Sequence, residues 1–127
     1  MRVICPKCKE ALPDSEVARI RDEFGDLVPK VLYHGVGCRN CQGTGYRGRQ
    51  GIFELMAITD EIRSLILKNA PSHELRKVGV SQGMRNLRED GWRIVREGRT
   101  TVEEVMRNTK DEEAGAFTAD IAGGGAA

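Results

Sequence analysis

Aromatic side chains, net charge and long apolar runs are what this 127-residue sequence has least of, and each shortage excludes something. Three Phe, two Tyr and one Trp leave few platforms on which single-stranded nucleic acid could stack. Lys and Arg number 20 against 19 Asp and Glu, so the chain carries no bulk charge to attract nucleic acid. No apolar stretch is long enough for a signal peptide or a membrane span, which points to a reducing, cytoplasmic setting. Catalytic signatures are missing too: no GxxxxGK(S/T) phosphate loop, no GxSxG and no HExxH occurs. His34 and His73 look unpaired in sequence and read as surface or satisfied residues. Taken by itself, this is the sequence of a non-enzymatic module.

What the chain does have is four cysteines in two pairs, Cys5-Pro6-Lys7-Cys8 and Cys38-Arg39-Asn40-Cys41. Each CxxC turn brings two sulfurs onto one ion, so two turns close a tetrahedral thiolate site suited to structural Zn²⁺. With all four positions sulfur, no place is left for a reacting water, which argues for scaffolding rather than catalysis. Iron, a pair of disulfides, or a thioredoxin-like dithiol are the competing uses; ligand type and spacing favour zinc. The 29 residues between Cys8 and Cys38 exceed the usual zinc-ribbon interval, so that loop must carry structure of its own.

The rest of the chain reads as α+β and mostly α-helical. Pro13-Asp14-Ser15 starts a helix with Val17, Ile20 and Phe24 at helical spacing, ending at Gly25. Val31-Leu32-Tyr33 has strand character and leads into the second knuckle. The glycines at 43, 45, 48 and 51 predict tight turns, after which Ile52-Phe53-Glu54-Leu55-Met56 reads as a strand. From Thr59 the pattern is helical. Thr59 or Asp60 caps a segment with Ile62, Leu65 and Ile66, and Pro71-Ser72 opens another with Leu75 and Val78. Met84, Leu87, Gly91 and Ile94 or Val95 mark the inner face of a third helix closed by Gly98. Its outer face carries Arg85, Arg88, Arg93, Arg96 and Arg99, either a solvated face or a contact for a partner. Thr101 and Glu104 form a capping box for a last short helix. The expected organisation is a tetracysteine metal-binding subdomain over residues 1–51, a helical subdomain over 52–109 and a disordered tail over 110–127.

Cys38-x-x-Cys41-x-Gly43-x-Gly45 matches one CxxCxGxG repeat of Hsp40-type chaperones, but the first knuckle lacks the glycines and four repeats would be needed. A stand-alone zinc ribbon binding protein or nucleic acid is the other alternative. A longer pattern is more specific. The run Val36-Gly37-Cys38 through Cys41, then Thr44-Gly45-Tyr46-Arg47-Gly48-Arg49-x-Gly51-Ile52-x-Glu54-Leu55-Met56, resembles the C-terminal part of type II secretion and type IV pilus assembly ATPases. Gly83-Met84-Arg85-Asn86-Leu87-Arg88-Glu89-Asp90-Gly91 and Glu97-Gly98-x-Thr100-Thr101-x-Glu103-Glu104-Val105 are similar to that family's closing helices.

The resemblance, which covers residues 3 to 109, implies a hexameric, RecA-like cytoplasmic motor, peripheral at the inner membrane, that hydrolyses ATP with Mg²⁺ to drive secretion or pilus assembly. It implies that Cys5, Cys8, Cys38 and Cys41 bind zinc in a subdomain projecting from the ATPase domain. The nucleotide-binding segments of such motors precede the tetracysteine element and do not occur here, so the parent protein is the enzyme and this portion is a docking module. Implied partners are the chain's own ATPase core, neighbouring subunits and inner-membrane platform or assembly proteins, with Arg85 and Arg88 near a subunit boundary or the hinge to the core.

Overall fold

A computed structural model describes residues 1–109; the tail expected over residues 110–127 lies outside the described residues. Strand β1 (Arg2–Ile4) runs into the first knuckle and emerges as β2 (Lys9–Ala11), and helix α1 (Asp14–Phe24) follows with a short 3-10 turn. Strands β3 (Tyr33–Gly35) and β4 (Tyr46–Arg49) flank the second knuckle in the same way. Helices α2 (Asp60–Leu67), α3 (Ser72–Ser81), α4 (Leu87–Arg96) and α5 (Val102–Asn108) complete the described order. The class is α+β, as the sequence indicates.

The described residues form two compact units. One comprises Met1–Phe53 with Leu87–Thr109; the other is Glu54–Asn86. Helices α4 and α5 group with the cysteine-bearing part in this partition, while α2 and α3 form the other unit. Trp92, Val95, Val102 and Val105 join Val17, Val28 and Leu32 in one buried cluster. Phe24 of α1 meets Trp92 of α4 edge-on, with ring centroids 5.5 Å apart. Helices α4 and α5 approach closely at Gly91, where a Cβ would come within 2.7 Å of Val105 Cγ1. A glycine on the inner face is therefore a packing requirement.

Two strand expectations are corrected. Residues 52–56 form no strand: among the described residues no ladder pairs with them, and the Phe53 N–H is taken at 3.0 Å by a carboxylate oxygen of Asp90. The strand lies earlier, at Tyr46–Arg49, inside the stretch that its glycines mark as turns. There Gly48, at φ 84°, supplies the irregularity by which β4 fits one more residue than β1 between the pairs Arg2↔Arg49 and Ile4↔Tyr46. Strand β3 likewise begins at Tyr33, two residues later than its apolar start suggests. Leu32 stays outside the ladder, buried in the core, although its carbonyl accepts from Leu12 N–H at 2.8 Å.

In the second unit, Thr59 caps α2, accepting from the Ile62 N–H at 3.3 Å while donating to Gln82 at 2.9 Å. Gln82 in turn donates to Glu61 at 2.8 Å, which ties the end of α3 to the start of α2. Ile62 is fully buried.

Candidate metal centre

The knuckles sit midway along two antiparallel arms. Strand β1 pairs with β4 and β2 with β3, so the chain passes each knuckle with a ladder on either side. Cross-arm hydrogen bonds hold the turns themselves: Cys5 N–H donates to Gly45 C=O at 2.9 Å and Val36 N–H to Cys8 C=O at 3.1 Å. Gly35 and Gly45 pass so closely that a Cβ on either would overlap the carbonyl of the other. Gly45 also has φ 79°, which favours glycine independently.

This framing brings all four sulfurs together. The Sγ atoms lie within 4.8 Å of one another, with Cys5–Cys38 and Cys8–Cys41 at 3.8 Å and Cys38–Cys41 at 3.7 Å. A tetrahedral site with metal–sulfur bonds of about 2.3 Å has edges of about 3.8 Å. Those separations fit an ion at the centre. They are nearly double a covalent S–S bond of about 2.05 Å, and all four cysteines are free thiols. Both histidines lie outside the group.

Backbone and side-chain donors surround the sulfurs. Gly37 N–H donates to Cys8 Sγ at 3.3 Å, Cys38 N–H and Gly45 N–H to Cys41 Sγ at 3.2 Å each, and the Asn40 amide to Cys5 Sγ at 3.5 Å. The Asn40 hydrogen bond holds the Cys5 thiol below its ordinary range. Burial alone would raise Cys41, but its two backbone donors outweigh that and bring it to about 6. Cys8 has one such donor, and burial pushes it up to about 12. A cation at the centre favours the deprotonated form of every ligand.

A sequence comparison decides the family. The family profile described as "Type II/IV secretion system protein" matches residues 1–107. The chain belongs to this family. It is 40% identical over 86% of its length to the type IV pilus assembly ATPase PilB of Thermus thermophilus. Type II secretion system protein E of Pseudomonas aeruginosa is 40% identical over 88% of the chain, and type II secretion system ATPase E of Vibrio cholerae 37% identical over 87%. The chain spans 12% of the first of these relatives and 22% of each of the other two.

In this secretion-family chain the arginine row has local partners. Arg93 binds Asp90 and Glu97, each at 2.8 Å, and Arg99 reaches Glu97 at 3.4 Å and also donates to Gln50. Arg88 is held to the Thr109 hydroxyl and carbonyl at 3.1 Å each, while Arg85 and Arg96 are exposed. Residues that the sequence does not advertise complete the metal module. Asn40 and the amides of Gly37 and Gly45 serve the sulfurs, and Tyr46 fixes β4 to α5 through a 2.8 Å hydrogen bond to Thr101. The glycine-rich spacing after Cys41 was the available signal for Gly45; nothing local pointed to Asn40. Among the described residues no helix is long and apolar enough to cross a membrane.

Proposed function

We propose that Cys5, Cys8, Cys38 and Cys41 hold one structural Zn²⁺ in the C-terminal portion of a hexameric motor ATPase for type II secretion or type IV pilus assembly. The observation that carries this reading is the set of sulfur separations, which matches a closed tetrahedral thiolate site. When bound, the ion supplies cross-linking rather than chemistry, because its four positions are filled by sulfur. The chain's own residues then do the structural work: the knuckle amides fix sulfur orientation, and the paired arms carry that rigidity to the loop bearing α1.

In the parent protein this module projects from an ATPase core that binds ATP and Mg²⁺. It presents the α1 and β3 surface to an inner-membrane platform or assembly protein from the cytoplasmic side. Arg85, exposed, and Arg88, anchored on Thr109, are proposed contacts to a neighbouring subunit or to the core.

Elemental analysis of the purified chain tests the metal directly, with one zinc per chain expected. Cys8→Ser and Cys38→Ser should lower both zinc content and thermal stability; unchanged zinc and folding in both would refute the site. ATP added to this chain should be neither hydrolysed nor tightly bound, since no phosphate loop occurs in it. In the full-length motor, Arg88→Ala should reduce ATP turnover or hexamer formation, and intact values for both would remove that role.

A further inference from the structure

Four thiolates around one ion are four nucleophiles, and their reactivity differs with exposure and hydrogen bonding. Three of these are shielded twice. Cys5, Cys8 and Cys41 are 0%, 7% and 6% exposed, and each accepts at least one N–H hydrogen bond, from Asn40, from Gly37, and from Cys38 with Gly45. Cys38 differs on both counts. It is only half-buried, and among the described residues no N–H hydrogen bond reaches its sulfur, whose contacts are Cys41 Sγ at 3.7 Å and Cys5 Sγ at 3.8 Å. An N–H donor draws charge from a thiolate and weakens it as a nucleophile, and burial keeps reagents away. Cys38 lacks both protections.

We infer that Cys38 is the modification site of the cluster, the thiolate through which a hydroperoxide opens the metal centre. The inference rests on the zinc reading above. Cys38 Sγ attacks one peroxide oxygen, the O–O bond breaks, and the sulfur becomes a sulfenic acid as hydroxide leaves. The Cys41 thiolate, 3.7 Å away in the same knuckle, then displaces a second hydroxide from that sulfur and forms the Cys38–Cys41 disulfide. Two thiolates have given up two electrons, and the peroxide has been reduced to two hydroxides. The ion keeps only Cys5 and Cys8 and is released.

The test begins with zinc quantified in the untreated protein. Hydrogen peroxide is then added with a chromogenic zinc chelator, and sulfenic acid is trapped by dimedone and mapped by mass spectrometry. Dimedone should label Cys38 first, and without it one zinc should leave per Cys38–Cys41 disulfide. Cys38→His, which preserves four donors, should hold zinc and slow its release about tenfold or more. First labelling at Cys5, Cys8 or Cys41, or zinc retained after Cys38 is oxidised, would overturn the inference while leaving the metal reading intact. Untreated protein without zinc would overturn the metal reading and this inference with it. If Cys38→His fails to hold zinc, the order of labelling in the unsubstituted protein decides.

Discussion

Glu104 clamps Arg2 across 102 residues of sequence: one carboxylate oxygen accepts the Arg2 backbone N–H at 2.8 Å, and the other takes the guanidinium at 2.7 Å. The sequence marks Glu104 as the partner in a capping box with Thr101. Only half of that box forms. Thr101 Oγ1 accepts the Glu104 N–H at 3.2 Å, whereas the Glu104 carboxylate turns to β1. A buried carboxylate needs charged and N–H partners, and β1 supplies both at once. The result ties the knuckle-bearing strand to α5.

Replacing Glu104 by Gln should therefore destabilise the protein by about 1–3 kcal/mol, mostly by leaving the buried end of the clamp poorly satisfied. The Arg2 side chain is 42% exposed, so solvent screens the ion-pair part and the figure stays below that of a fully buried pair. Urea titration of the two proteins measures this. A difference under about 0.5 kcal/mol would mean that the clamp contributes nothing beyond an ordinary surface contact.

The same carboxylate predicts an acid transition. Burial would raise the Glu104 pKa, but the hydrogen bonds and charge of Arg2, helped by Arg107, hold it below the ordinary carboxylate range. Its folded pKa is thus lower than its unfolded value of about 4.3, and the folded protein binds fewer protons. The stabilisation is complete above the unfolded value and is lost as pH falls through the folded one. Melting temperatures of the wild type should drop more steeply than those of Glu104→Gln below about pH 4.5; parallel profiles would exclude the linkage.

Gly45→Ala should be more damaging than its size suggests. The new methyl group meets the Gly35 carbonyl, and the backbone at φ 79° is strained for alanine. Together these should cost about 2–4 kcal/mol and weaken zinc retention against a chelator. Gly43→Ala is the control: its φ is 77° but nothing lies within 4 Å of a Cβ there, so only the strain component, about 1 kcal/mol, should appear.

Features with local causes were legible in the sequence. Thr59 and Thr101 cap the helices they were expected to cap, Gly25 ends α1, and the two CxxC spacings identify the four sulfurs that converge. What escaped depends on partners distant in the chain. Residues 52–56 have strand composition but no ladder among the described residues, while Tyr46–Arg49 has turn composition and becomes a strand because β1 pairs with it. Gly35 matters only because Gly45 passes it, and Asn40 only because Cys5 arrives from the other arm. The basic row was visible, but its pairing with Asp90 and Glu97 follows from where α4 places each side chain.

Removing the metal should be readable in Trp92, the chain's one tryptophan. Both ends of the 29-residue loop between Cys8 and Cys38 are held at the sulfur cluster, and that loop carries Phe24, whose ring packs against Trp92 at 5.5 Å. Cross-linking a loop of this length restricts the unfolded chain by about 3–4 kcal/mol at room temperature, and the restriction vanishes when the cross-link is removed. A high-affinity chelator should therefore lower the melting temperature. Near the new transition, Trp92 emission should shift to longer wavelength as Phe24 leaves and water reaches the indole, which is only 2% exposed in the folded state. Adding Zn²⁺ back should reverse both changes. If chelation strips zinc while the melting temperature stays fixed, the four sulfurs are not what holds the α1 loop against α4.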